Sequence, residues 1–446
     1  MAPRLGRAIA REHLLTTNLG QRRAKQIAYP FAMPTARARR FEGFPALLAC
    51  LIAAVVTASC GTGPAGSTQT AASARPSGAA PTAAWSGTPI ATPEGSAACA
   101  SRTLAEMSQG QRVGQLFLLG IEGNDVSASE IAAIETYHMG SAWLVNSRTG
   151  GVQNVRALAN EIQALATEAN THGVRFFVGA DQEGGQVQRL SGPGFSTIPS
   201  ALEQGHLPTA TLQADATRWG GELRTAGVNL DLAPVMDVVP RGTDAMNRPI
   251  GALAREYGHD PTTVGGHGAA LIRGMAQAGI ATTLKHFPGL GRVTGNTDTV
   301  AGVVDSTTTA DDHYLEAFLT GIEAGAPFVM VSLATYTAID PDHQAVFSPT
   351  IIGTLLRQTL GFDGVVMSDD LGAAASVASM APGDRATEFI AAGGDLMIVS
   401  GVDPAGQMAA AVLDRARSDS GFAAQVEAAA LSVLQAKAAY GLLSCG

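Results

Sequence analysis

Four short stretches concentrate the residues that could do chemistry: Asp181-Gln-Glu-Gly-Gly-Gln-Val-Gln-Arg-Leu190, Asp231-Leu-Ala-Pro-Val-Met-Asp237, Lys285-His-Phe-Pro-Gly289 and Ser368-Asp-Asp-Leu371. Each ends a short apolar run. Carboxylates and cations held against apolar segments are costly unless they serve a polar ligand or pair with one another. Both readings, a ligand site and a salt-bridge network, stand at this level.

Signals for other chemistries are missing. Gly289, Gly291 and Gly295 have the wrong spacing for a dinucleotide loop. The nine histidines are scattered, and no His-x-x-x-His or cysteine cluster suggests a metal. Gly-x-Ser-x-Gly does not occur. No cofactor and no metal are expected.

The elements that must position these groups read as strands alternating with helices. Candidate strands are Gln115–Gly120, Ala142–Asn146, Phe176–Ala180, Val228–Ala233, Ala281–His286, Phe328–Ser332, Gly364–Ser368 and Asp395–Ser400. Their apolarity is continuous rather than alternating, as in strands covered on both faces. Helical patterns include Val152–His172 and Pro261–Gly279. Eight βα units over this length predict a single (β/α)8 TIM-type barrel, with the polar clusters at its active face.

Asp181–Leu190, Asn229–Val238, Lys285–Gly291 and Gly361–Leu371 resemble the signature segments of glycoside hydrolase family 3, in its bacterial β-N-acetylhexosaminidase branch. They occur in the family's order and on the expected strands. The resemblance implies a retaining, metal-free hydrolysis of terminal β-linked N-acetylglucosamine, from peptidoglycan fragments in cell-wall turnover or recycling. It makes Asp369 the nucleophile; the adjacent Asp370, which would point the other way in an extended segment, reads as a supporting or capping residue. Asp181 then holds ring hydroxyls, and Arg189, Lys285 and His286 complete the grip on the sugar. Arg255 matches a further substrate arginine, in a segment two residues longer than the family's. Gln186 stands where an arginine is usual.

One departure is larger. The branch carries an Asp-x-His pair after strand five, with the histidine as acid/base. Here Asn296 stands for the aspartate and Asp298 for the histidine. Asp298 becomes the expected acid/base, with His286 as the fallback. Two alternatives follow: a retaining β-glucosidase or β-xylosidase of the same family, and a sugar-binding lipoprotein without catalysis.

The chain's ends carry a different message. Residues 1–60 hold nine Lys/Arg and two acids, whereas the rest holds 20 basic and 36 acidic residues. An acidic mature protein repels phosphate backbones, which argues against nucleic acid as a partner. Arg37, Arg39 and Arg40 precede the apolar run Phe44–Val56 and then Thr57-Ala-Ser-Cys60, the layout of an export signal. Thr57–Cys60 resembles a lipobox, which implies lipidation at Cys60 and an anchor on the extracytoplasmic face of the membrane. Met33 begins a signal of ordinary length, so residues 1–32 read as an over-extended frame. Residues 61–98, rich in Gly, Ala, Ser, Thr and Pro, read as a disordered tether. The folded domain is expected over 99–446, as a monomer acting on carbohydrate. Cys99 and Cys445 sit at its two ends, which suggests a disulfide, with two separate thiols as the other reading.

Overall fold

The computed structural model describes residues 93–444. The expected signal, the lipobox at Cys60, most of the tether and Cys445 lie outside the described residues. Cys99 is disulfide-bonded.

Eight parallel strands close into a barrel: β1 (Phe117–Ile121), β2 (Ser141–Leu144), β3 (Phe177–Ala180), β4 (Leu230–Asp231), β5 (Ala281–Phe287), β6 (Phe328–Val331), β7 (Val365–Asp370) and β8 (Leu396–Val399). Each pairs with its neighbours in sequence, and β8 closes on β1 with Leu118 opposite Ile398. Every expected run overlaps one of these strands. This is the (β/α)8 TIM-type barrel that the alternation predicts.

The two-sided burial has a physical basis in the alternation of strand side chains. One set, including Leu118, Phe177, Leu230, Phe328, Met330, Met367 and Ile398, packs together as a cluster of its own. Phe177 and Phe328 meet edge to face at 5.3 Å. The other set, including Phe117, Leu119, Val178, Val329 and Val399, joins the larger core shared with the helices.

Helices follow the strands, among them Gly151–Ala164, Thr209–Thr225, Pro261–Gln277, Leu315–Glu323, Pro382–Ala391 and Val402–Ser418. Pro261–Gln277 starts where expected, because Pro261 occupies the first turn and the Asp260 side chain accepts from Thr263 N. The run Val152–His172 is corrected to two helices, Gly151–Ala164 and Glu168–Thr171. Thr167 caps the second, accepting from Asn170 N, so the chain turns without glycine or proline.

The described residues already form a helix before Cys99. Residues Pro93–Glu106 form a helix, and its Cys99 and Ala100 pack against Leu434 and Leu443.

Candidate active site

The C-terminal ends of β3, β4, β5 and β7 bring the polar groups together. Lys285, 1% exposed near the end of β5, places Nζ 2.6 Å from Asp181 Oδ1 and 2.7 Å from Glu183 Oε1. Arg255 binds Glu183 through two nitrogens, at 2.8 and 2.7 Å, while Nη1 donates to the Pro249 carbonyl at 2.8 Å. Burial by itself raises the Glu183 carboxyl, but Arg255 and Lys285 outweigh it and bring the group down to about 2. Burial would likewise lower the Lys285 ammonium, and Asp181 and Glu183 reverse that shift upward. Glu183, Lys285 and Arg255 are therefore held charged.

The turn after β3 explains how Asp181 and Glu183 reach this network. Gly184 and Gly185, with φ of 102° and 56°, reverse the chain; a Cβ on Gly184 would meet the Pro199 carbonyl at 2.2 Å. Gln182 bonds Leu190 with both ends of its amide, and Arg189 N donates to the Asp181 carbonyl at 3.1 Å. Arg189 is thereby carried alongside Asp181. Its Nε is buried and makes no hydrogen bond to the protein. Trp143 Nε1 donates to Asp181 Oδ2 at 3.2 Å, fixing the carboxylate's second oxygen.

His286 is held by Asp237, which is fully buried. Its Nδ1 lies 2.8 Å from Asp237 Oδ2, and its backbone N–H donates to Oδ1 at 3.2 Å. Leu290 N donates to the same Oδ1 at 2.7 Å, so one carboxylate fixes both the ring and the following loop. The other ring nitrogen, Nε2, faces Arg255 Nη2 at 3.5 Å. Asn247 ties the loop after β4 to the loop after β5, donating to the Leu290 and Val293 carbonyls at 2.7 and 2.8 Å.

Asp369 and Asp370 end β7 and part in function. Asp370 Oδ1 accepts from Gly372 N and Ser400 N at 2.8 and 2.9 Å, which makes it a turn-capping group. Asp369 is half-buried and accepts only from Asp370 N, at 2.8 Å, among the bonds described. Its carboxyl is pushed up to about 6, first by burial, then by the charge of Asp298, with His286 opposing.

Asp298 is exposed on the loop after β5. That loop docks on the one after β7: Ala375 N donates to the Asp298 carbonyl at 3.0 Å, and Ser376 N to the Thr297 carbonyl at 3.1 Å. Asn296 does not orient the Asp298 carboxylate. Its side chain accepts from Asp298 N at 2.9 Å, closing a turn.

The structure thus joins Asp181, Arg255, Lys285 and His286 to one mouth. It sets Arg189 beside Asp181, and puts Asp369 within electrostatic reach of both His286 and Asp298. Sequence reasoning assigned no role to Glu183, Asp237, Trp143 or Asn247. One signal could have found Glu183: three expected substrate cations, Arg189, Lys285 and Arg255, faced only Asp181, and enclosed charges require partners.

The chain matches the glycosyl hydrolase family 3 N terminal domain over residues 109–435. A protein of Stenotrophomonas maltophilia (strain K279a), named beta-hexosaminidase, is 34% identical over 295 residues, covering 64% of this chain and 83% of that one. The solved beta-N-acetylhexosaminidase of Beutenbergia cavernae DSM 12333 is 51% identical, with a TM-score of 0.73 over 75% of this chain and 99% of that one. A family 3 beta-N-acetylglucosaminidase from Paenibacillus sp. str. FPU-7 is 28% identical, with a TM-score of 0.67 over 75% of this chain and 63% of that one.

Proposed function

The chain belongs to glycosyl hydrolase family 3, and from that premise we propose a retaining β-N-acetylhexosaminidase that releases terminal β-linked N-acetylglucosamine. The observation that carries this reading is the position of Asp369. It is an aspartate at the end of β7, free of cationic partners among the bonds described, near a charged network that offers donors and acceptors to a sugar ring. The names carried by the relatives favour N-acetylhexosamine over other sugars.

In this reading the grip comes first. Asp181 accepts from ring hydroxyls, while Lys285, Arg189, Arg255 and His286 supply donors. Salt bridges already orient Lys285 and Arg255, so little ordering entropy is lost on binding. Asp369 then attacks the anomeric carbon as the bond to the leaving oxygen breaks, and Asp298 gives that oxygen its proton. The resulting glycosyl ester is cleaved by water, whose proton returns to Asp298, and Asp369 is released as carboxylate.

The natural substrate in this proposal is a peptidoglycan fragment. The location is the extracytoplasmic face of the membrane, through lipidated Cys60, and the protein acts as a monomer. The export-type layout of Arg37–Cys60 supports the location. Labelled fatty acid that fails to join the chain, or joins equally in Cys60→Ser, would refute the anchor.

Nitrophenyl N-acetylglucosaminide, nitrophenyl glucoside and nitrophenyl xyloside, assayed side by side, test the specificity. Turnover confined to the first supports the reading, and preference for either of the others moves the chain to a different glycosidase class. Binding without turnover on all three gives a sugar-binding protein, the reading that the missing Asp-x-His pair favours. Product analysis on muropeptides tests the substrate.

A further inference from the structure

The loop between β4 and the helix Pro261–Gln277 holds a cluster that the proposed hydrolysis does not use. Asp244, Glu256 and His259 each offer a ligand atom, and these atoms all lie within 4.8 Å of one another. Glu256 has no exposed surface, and neither of its carboxylate oxygens accepts a hydrogen bond from another group. Asp244 Oδ1 is also buried without a hydrogen bond, and stands 3.5 Å from His259 Nδ1. Buried acceptors facing one another without a donor are costly, and native structures rarely leave them so.

We infer that Asp244, Glu256 and His259 form a binding site for a first-row divalent cation, Zn2+ being the best fit. An ion supplies the positive charge that the two carboxylates lack. His259 Nδ1 stands 3.2 Å from the Val239 carbonyl and donates to it, which leaves Nε2 as the ring nitrogen with a lone pair for an ion, the usual pattern for a metal-binding histidine. An imidazole with two carboxylates suits zinc better than calcium or magnesium, which prefer all-oxygen shells. The His259 and Asp244 side chains are 17% and 35% exposed, which leaves the ion a route from solvent.

The placement gives the ion a structural task. Glu256 follows Arg255, whose guanidinium holds Glu183. An ion shared by Asp244, Glu256 and His259 ties both ends of the loop that delivers Arg255. It works as a staple on the loop, and its test reads metal binding and stability, so it does not depend on glycosidase activity.

The test uses the untagged full chain, stripped with EDTA, desalted and titrated with ZnCl2. Calorimetry and metal analysis should give one equivalent of zinc per chain, and the thermal midpoint should rise with zinc. Glu256→Gln and His259→Gln should each weaken binding by more than about 10-fold, a loss seen even for outer partners of a metal. Asp298→Asn and Asp369→Asn should keep the full equivalent. His259 is partly exposed, so its variant reports on the site if Glu256→Gln fails to fold. Absence of saturable zinc binding overturns the inference and leaves a proton shared between the two acids. Binding unchanged by both variants, or lost in Asp369→Asn, also overturns it by placing the ion elsewhere.

Discussion

Arg255 grips Glu183 through two parallel hydrogen bonds, Nε to Oε2 at 2.8 Å and Nη2 to Oε1 at 2.7 Å, inside the barrel mouth. Oε1 also receives Lys285 Nζ at 2.7 Å. Glu183 is therefore the shared counter-charge of two enclosed cations. Its replacement by glutamine keeps the shape and removes the charge. Breaking a buried ion pair from one side costs about 3–5 kcal/mol, and Glu183→Gln should lose on that order in urea unfolding. A loss under about 1 kcal/mol would show that solvent already screens the network.

Asp369→Asn should remove turnover by a factor on the order of 10³ or more, because both covalent steps pass through that carboxylate. Binding of N-acetylglucosamine should survive, since the grip lies with Asp181 and Lys285. Calorimetry with the free sugar and a nitrophenyl assay check the two halves. A variant with over roughly a tenth of normal turnover would remove Asp369 from the role.

The raised carboxyl of Asp369, about 6 by burial and by Asp298, gives a pH signature. The nucleophile must be ionised, so kcat/KM should fall as pH drops below about 6. In Asp298→Asn one raising charge is gone, and the acidic limb should move to lower pH. Stability runs the other way. A carboxyl raised by folding costs stability where it is charged, above about pH 6, and the cost fades as pH falls through 6 toward its ordinary range. Asp369→Asn should therefore stabilise the fold more at pH 8 than at pH 4. Equal effects at both would mean that Asp369 is well solvated.

Cys99 is disulfide-bonded, and we expect Cys445 as its partner. Joining the two ends of the barrel domain closes a very long loop. Loss of the bond in Cys99→Ser should cost about 2–5 kcal/mol. A peptide map under non-reducing conditions that pairs Cys99 with another cysteine corrects the partner.

The barrel was legible because its parallel strands are covered on both faces. Runs such as Phe117–Ile121 carry no polar side chain and are buried throughout. The break at Leu165–Thr167 was not, since those residues include no glycine or proline and only the Thr167 cap marks it. At the site, Asp181, Lys285, His286 and Asp369 could be read as strand-end polar residues. The long-range pairs that orient them could not. Glu183 acts on Arg255 across 72 positions of sequence and Asp237 on His286 across 49, distances over which spacing carries no register.

The acid/base is the assignment on which the mechanism turns. A retaining glycosidase needs a proton donor about 5–5.5 Å from its nucleophile. The loop that carries Asp298 is pinned to the loop that follows Asp369 and β7, through Ala375 N and Ser376 N. Its charge is felt by Asp369, the second cause of that carboxyl's upward shift after burial. His286 is the competing donor, but Asp237 holds its Nδ1 at 2.8 Å and Arg255 faces its Nε2. Both ring nitrogens thus face protein groups, which suits binding better than acid catalysis. Asp298→Ala should then slow substrates with poor leaving groups by roughly 10²–10⁴-fold. Nitrophenyl substrates, which need little help in leaving, should lose much less in the first step. Azide needs no base, so it should restore deglycosylation and yield a β-glycosyl azide. Equal losses on both substrate types, with no azide product, would transfer the role to His286 and leave Asp298 to hold the loop.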